Sequence, residues 1–149
     1  MKAKSGFTLV EILIVVVILG ILAAIVIPQF TEASTEAKTS SLCTDLQTVR
    51  SQIELYKIQH NDQLPGAGTA TFELAMTGKT DVAGAVSTAT TNVYGPYLQK
   101  IPTNQFNDSS LVEKGTVSPV PGGSTTYGWY FNTGTGAFNA NDSADHAAL

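Results

Sequence analysis

One acidic residue interrupts an otherwise apolar stretch near the start of the chain. The sequence from Phe7 to Ile27 contains Glu11 and no other charged side chain. A carboxylate at the centre of a membrane costs roughly 2.5–3.5 kcal/mol on translocon-type insertion scales. A cation that meets Glu11 would offset this cost, because it neutralises the carboxylate once both are withdrawn from water. The chemistry that we expect at Glu11 is therefore ion pairing.

The apolar stretch is long enough to cross a membrane. As a helix, Phe7 to Ile27 would be about 32 Å long, against a hydrocarbon core of about 30 Å. Lys2 and Lys4 precede the stretch, and this charge bias places the N-terminus in the cytoplasm. A secretory signal peptide, an ordinary anchor and a buried core helix are the alternatives. The ordinary anchor leaves Glu11 and the Gly6-Phe7 junction unexplained, and so apolar a core helix is not expected in so small a chain.

The hexapeptide Gly6-Phe7-Thr8-Leu9-Val10-Glu11, followed at once by an apolar helix, resembles the start of proteins in the type IV filament superfamily. This superfamily contains type IV pilins and the pseudopilins of type II secretion. The resemblance implies that residues 1–6 are a leader, that a prepilin peptidase cuts between Gly6 and Phe7, and that the new amine of Phe7 is methylated. It also implies that Glu11 pairs with the Phe7 amine of a neighbouring subunit.

Two helix-weakening residues lie further along the apolar stretch. Gly20 weakens a helix by roughly 1 kcal/mol against alanine, and Pro28 removes one backbone hydrogen bond. The helix can persist in a membrane, where no water replaces broken hydrogen bonds. In filaments of the family that this sequence resembles, the helix is loosened at these positions. We therefore expect Gly20 and Pro28 to mark a segment that unwinds on assembly, with a simple kink as the alternative.

The helix is predicted to continue beyond the apolar stretch. Residues 7–28 form the transmembrane or filament-core part, and residues 29–60 form an amphipathic second half. The amphipathic half has apolar residues at helical spacing, namely Leu42, Leu46, Val49, Ile53 and Tyr56. Residues 61–149 are predicted to form a C-terminal globular domain, which begins with a loop at 61–102.

The C-terminal part alternates in a way typical of strands. Residues 126–140 are predicted to form a β-hairpin around a Gly-containing turn, and residues 112–117 a third strand. In this hairpin Trp129 and Phe131 share one sheet face and Tyr130 lies on the other. One of the two sets is expected to be core, and the other face could form a carbohydrate-binding platform. The fold class is therefore α+β, with one long N-terminal helix packed on a small antiparallel sheet, and the resemblance implies that this is a pilin-like fold.

An oxygen-rich segment near the C-terminus suggests a calcium site. Calcium takes six to eight oxygen ligands, and four side chains in this segment carry suitable oxygens: Asn139, Asn141, Asp142 and Asp145. The resemblance adds weight, since major pseudopilins often bind calcium there. The spacing departs from a tight acidic loop, so a solvated turn is the alternative. No other cofactor is indicated.

The composition argues against two classes of function. The chain has a formal charge of −4, and removal of Lys2 and Lys4 with the leader would leave −6, which does not favour a nucleic-acid-binding surface. His60 and His146 lack an evident serine, cysteine or carboxylate partner in the sequence, so no enzymatic site is expected.

The sequence therefore predicts a structural subunit of a filament. It would be stored in the inner membrane, extruded by an assembly ATPase and platform protein, and polymerised with itself outside the cytoplasm. Two alternatives remain open: a major pseudopilin of type II secretion, and a minor or tip subunit that binds a partner. The single cysteine, Cys43, excludes the intrachain disulfide that many type IV pilins contain.

Overall fold

The computed structural model describes residues 6–91, 93–116 and 122–149. The chain divides into two compact units, the first ending at Ala37 and the second comprising Lys38–Leu149. The leader residues before Gly6 lie outside the described ranges, as does Val117 of the predicted third strand.

The first unit contains the beginning of a long helix, α1, which runs from Leu9 to Gln59 over 51 residues. Every described residue up to Ala37 is exposed. An eighteen-residue window of α1 has a mean hydropathy of 3.3, so the helix is long and apolar enough to cross a membrane. The helix passes through Gly20 and Pro28 without a break in its assigned secondary structure.

The second unit contains the rest of α1, a helix α2 (Phe72–Thr77), strands β1 (Val112–Gly115), β2 (Trp129–Asn132) and β3 (Phe138–Ala140), and a helix α3 (Ala144–Ala147). Helix α2 starts where the Thr71 hydroxyl caps the Leu74 amide. Helix α1 ends before Asn61 and Asp62, whose φ angles of 52° and 62° cannot continue a helix.

The core of the second unit lies between α1 and the sheet. All five residues of the predicted apolar stripe on α1 are buried. They share one cluster with α2 and with Trp129, Phe131 and Phe138 of the hairpin. Trp129 is completely buried and donates its indole N–H to the carbonyl of Pro102 at 2.8 Å. The predicted α+β arrangement, a long helix packed on a small sheet, is confirmed.

The sheet differs from the prediction in one respect. Strands β2 and β3 pair antiparallel, as expected for the hairpin, but β1 pairs with β2 in parallel. The sheet is therefore mixed, with the order β1-β2-β3. A parallel pair requires the chain to cross back to the start of the sheet, which a tight turn cannot do.

The prediction of an aromatic platform on the second face of the hairpin is wrong. Tyr130 does point away from Trp129 and Phe131, but only 2% of its surface is exposed. Its hydroxyl packs against Gly115, where an added Cβ would lie 2.6 Å from the oxygen. A buried ring cannot stack on a sugar from solution.

Candidate functional site

The candidate site is the N-terminal end of α1, where Gly6, Phe7 and Glu11 lie. Phe7 is 84% exposed, and among the described residues no atom beyond the chain neighbours of Gly6 lies within 4 Å of the place where its Cβ would be. The peptide bond between Gly6 and Phe7 is therefore open to an approaching enzyme. The roles of these residues in cleavage and methylation stay predictions.

Glu11 is not a free carboxylate in the single chain. Its Oε2 accepts hydrogen bonds from the backbone N–H of Thr8 at 2.8 Å and from the Thr8 hydroxyl at 2.7 Å. In return, the Glu11 N–H donates to the Thr8 hydroxyl oxygen at 3.3 Å. This reciprocal arrangement is a capping box, in which the residue before a helix and the third residue inside it satisfy each other's amides.

The capping box was missed in the sequence, although its signal is present. A threonine followed three residues later by a glutamate, just before an apolar run, is the pattern that marks a helix start. Its consequence is that Glu11 already has a partner when the chain is alone. The hydrogen bonds use Oε2, and within the described residues no donor reaches Oε1. One carboxylate oxygen is thus open to a neighbour.

Gly20 and Pro28 have no partners that explain their presence. A Cβ at Gly20 would meet no atom within 4 Å, so packing inside the described chain does not require a glycine there. Pro28 lacks the N–H that would bond the Ala24 carbonyl. Three residues later, the Thr31 hydroxyl donates to the Ile27 carbonyl at 3.1 Å. The segment is helical here, and its unwinding stays a prediction about the assembled state.

Most side chains of the predicted calcium site are already engaged in separate hydrogen bonds. Asn139 donates to the Ala147 carbonyl at 3.0 Å, and Asn141 donates to Glu113 Oε2 at 2.6 Å. Asn141 Oδ1 accepts from the Gly122 N–H at 3.1 Å. Asp145 is exposed on α3. These side chains do not form an open ring of oxygens.

Asp142 has a side chain that is only 7% exposed. Its Oδ1 accepts from Asn104 Nδ2 at 2.7 Å, and its Oδ2 lies 2.5 Å from His146 Nδ1. Within the described ranges, histidine, cysteine and carboxylate side chains form no group of three or more that could hold a metal. Calcium binding would require Asp142 to exchange these hydrogen bonds, and it stays a prediction.

Asn104 was not predicted from the sequence, yet it fixes the C-terminal segment. It is completely buried and donates through Nδ2 to both the Gly128 carbonyl and Asp142. Its Oδ1 accepts from the Phe106 N–H at 2.9 Å. Nothing in the sequence around Asn104 distinguishes it from a solvated turn residue, because its partners lie 24 and 38 positions away.

His60 is also held in place by packing and hydrogen bonds. It is buried, its ring stacks on Tyr56 with centroids 3.8 Å apart, and its Nδ1 lies 2.9 Å from the Tyr56 carbonyl oxygen. A carbonyl can only accept, so Nδ1 carries the proton. In the neutral ring, Nε2 then accepts from the Thr80 hydroxyl at 2.9 Å. Both nitrogens are thus engaged in packing α1 against the following loop.

Comparisons with known proteins point to the same end of the chain. Residues 1–27 match the family model of the prokaryotic N-terminal methylation motif. A type II secretion system core protein G from Pseudomonas aeruginosa is 42% identical over 59 residues, which cover 40% of this chain and 42% of that protein. The match therefore spans less than half the length of that relative. No solved structure matches the chain.

Two further relatives define the range of the similarity. The type II secretion system core protein G of Klebsiella pneumoniae is 28% identical over 116 residues, which cover 77% of this chain and 79% of that protein. A fimbrial protein from Pseudomonas aeruginosa is 41% identical over 54 residues, which cover 36% of this chain and 35% of that protein. The chain is thus similar to type II secretion system core proteins G and to a fimbrial protein, and its first 27 residues carry the prokaryotic N-terminal methylation motif.

Proposed function

We propose that this protein is a structural subunit of a type IV pilus-like extracellular filament, and that it has no enzymatic role. The observation that carries the proposal is Glu11. It is the one charged residue of an apolar segment whose side chains are all exposed, and one of its carboxylate oxygens has no donor among the described residues. Both the exposed apolar surface and the open oxygen call for a neighbouring molecule.

Before assembly, the subunit would be stored in the inner membrane by the apolar part of α1. The basic residues before Gly6 place the N-terminus on the cytoplasmic side, where a prepilin peptidase would cut after Gly6 and methylate Phe7. The exposed position of Phe7 is consistent with access by that enzyme. The second unit would then lie outside the cytoplasm.

Assembly would move Glu11 into an environment that neutralises its negative charge. Among the described residues, Thr8 supplies the hydrogen bonds that the carboxylate accepts in the single chain. In the filament it would also meet the Phe7 amine of the next subunit, a full positive charge that neutralises it. An unpaired charge in hydrocarbon is costly, so this pairing favours the polymer and fixes the register between subunits. An assembly ATPase and a platform protein would drive the extraction.

The change Glu11→Ala tests this mechanism. We expect the variant to be cleaved and methylated at Phe7, because the scissile bond is unchanged, and to form no sheared filaments. The measurements are mass spectrometry of the N-terminus and electron microscopy of the sheared fraction. A matched control is Asp62→Asn, which removes an exposed carboxylate at the far end of α1. Normal filaments from Glu11→Ala would contradict the assembly mechanism.

A second candidate function is favoured by the relatives. Two relatives named type II secretion system core protein G match this chain, one of them over 77% of its length. The chain would then form a short periplasmic pseudopilus. The location of the polymer separates the two functions: a major pilin is recovered from the cell surface by shearing, whereas a pseudopilin stays in the envelope.

A further inference from the structure

Strand β1 lies at the edge of the sheet, because the strand order is β1-β2-β3. The Trp129 N–H donates to the Leu111 carbonyl at 3.2 Å, so Leu111 turns its backbone groups toward β2. Successive residues of a paired strand turn these groups to opposite edges. The N–H and C=O groups of Val112 and Lys114 therefore face away from β2, and no bridge to another described segment involves either residue.

A groove of about 400 Å³ lies against this free edge. We call it the edge groove, and it is enclosed by α2, the segment 99–103 and residues 110–112. At one end the chain closes it, because the Asn104 N–H donates to the Ser109 carbonyl at 3.0 Å. Beyond this point the structure describes both segments in full, and no backbone hydrogen bond joins residues 99–103 to residues 110–112. The groove therefore separates the edge of β1 from its neighbouring segment.

The edge groove combines apolar surface with a positive charge. Leu111 and Val112 line it, and Leu111 is 55% exposed. Glu73 of α2 also lines it, but its carboxylate is already paired with Lys114 at 3.1 Å. Lys100 is exposed at the groove and forms no ion pair with any described residue. The charge that remains unpaired at the edge groove is therefore positive.

We propose that the edge groove binds an extended peptide segment of another protein, which pairs with β1 as an added strand. An unpaired strand edge is a template for such pairing. Side chains two residues apart share one face of a strand. One apolar side chain of the peptide would contact Leu111 and Val112, and an acidic side chain two residues away would meet Lys100. The proposed binding goes beyond the filament function and uses the second unit alone.

The first test measures the binding of a fluorescent heptapeptide, Thr-Thr-Val-Thr-Asp-Thr-Thr, to the full chain in detergent by fluorescence anisotropy. We expect saturable binding that Lys100→Glu weakens by about fivefold at low salt, because an attraction becomes a repulsion. Lys57→Glu makes the same charge change on α1, outside the edge groove, and should bind as the wild type does. Absence of binding, or equal affinities for the wild type and Lys100→Glu, would overturn the proposal.

The second test leaves the protein unchanged and alters the backbone of the probe. N-methylation removes an amide hydrogen, and only alternate amides of an added strand face its neighbour. Methylation of one alternate set of amides should therefore abolish binding, whereas methylation of the other set should preserve it. Equal effects of the two sets would rule out strand pairing and overturn the proposal.

The same titration distinguishes this partner from a second copy of the chain. A second copy in the edge groove would compete with the probe, so the apparent affinity would fall as the chain concentration rises, and this result would overturn the proposal. Glu11→Ala should bind the probe as the wild type does, because Glu11 lies outside the second unit. Failure of the proposed assembly mechanism and failure of peptide binding are therefore separate outcomes.

Discussion

Glu11 shows what a single residue type can reveal about function. A lone acid in an apolar run indicates an ion pair on energetic grounds, and the sequence alone is enough to predict it. The structure adds that Thr8 holds one oxygen of this carboxylate in the single chain. The neutralisation that we propose would thus start from an oriented carboxylate, whose other oxygen has no donor among the described residues.

Side chains whose partners are distant in sequence could not be predicted in this way. Asn104 and His60 are polar residues in unremarkable sequence contexts, and both are completely buried. Their roles depend on loops that return to them from far along the chain, such as the Thr80 hydroxyl on His60 and the Gly128 carbonyl on Asn104. Local patterns carry no information about such contacts.

The calcium hypothesis is tested at Asp142. If calcium binds, it should raise the midpoint of thermal unfolding of the full chain, because a ligand that binds only the folded state stabilises it. Asp142→Asn should abolish this shift, whereas Asp62→Asn should leave it unchanged. An identical midpoint with calcium and with a chelator would show that Asp142 serves only Asn104 and His146.

Tyr97 should make the second unit less stable at alkaline pH. Burial, together with the nearby Tyr56 and Tyr94, raises the pKa of Tyr97 to about 12 from its ordinary value of 10.0. As the pH rises, the unfolded chain therefore loses the Tyr97 proton at a lower pH than the folded chain. The contribution of Tyr97 to stability is fully present below about pH 10 and is lost as the pH rises to about 12.

Urea unfolding followed by the fluorescence of Trp129, the chain's one tryptophan, measures this effect at about pH 8 and about pH 11. The variant Tyr97→Phe loses the hydrogen bond to Gln59 Oε1, which is 2.6 Å long, and should be less stable at the lower pH. It should then lose less stability than the wild type on going to the higher pH. An equal loss in both proteins would show that Tyr97 does not titrate in this range.

At the scale of elements, the helix was the most predictable part. The apolar stretch and the buried stripe both follow helical periodicity, and the 51-residue α1 agrees with the predicted helix of about fifty residues. The hairpin was predictable from its alternation and its glycine turn. The parallel pairing of β1 with β2 was not, because it depends on a crossover whose direction no local residue pattern specifies.

The proposed unwinding of α1 belongs to this scale. In the double variant Gly20→Ala and Pro28→Ala, the helix gains propensity and a backbone hydrogen bond, so it should resist unwinding. We expect normal membrane insertion and normal cleavage at Phe7, but fewer or shorter filaments in electron micrographs. Filaments of wild-type length and number would show that assembly does not require a loosened segment at these residues.

At the scale of the whole molecule, the two units differ in how their apolar residues are covered. Lys38–Leu149 has its own buried core of helix and hairpin residues. The part of α1 before Lys38 has no buried residue among those described, and we expect lipid or other subunits to cover its apolar surface. A protein with these surfaces is suited to two environments, the membrane and the polymer.

The most direct test of the central claim is electron microscopy of filaments sheared from native cells, combined with mass spectrometry of their main protein. The account predicts that this chain dominates the fibres and begins at a methylated Phe7. A chain that is processed at Phe7 but stays in an envelope polymer would indicate the pseudopilin. A chain that keeps an intact Gly6–Phe7 bond and never enters a polymer would contradict the account.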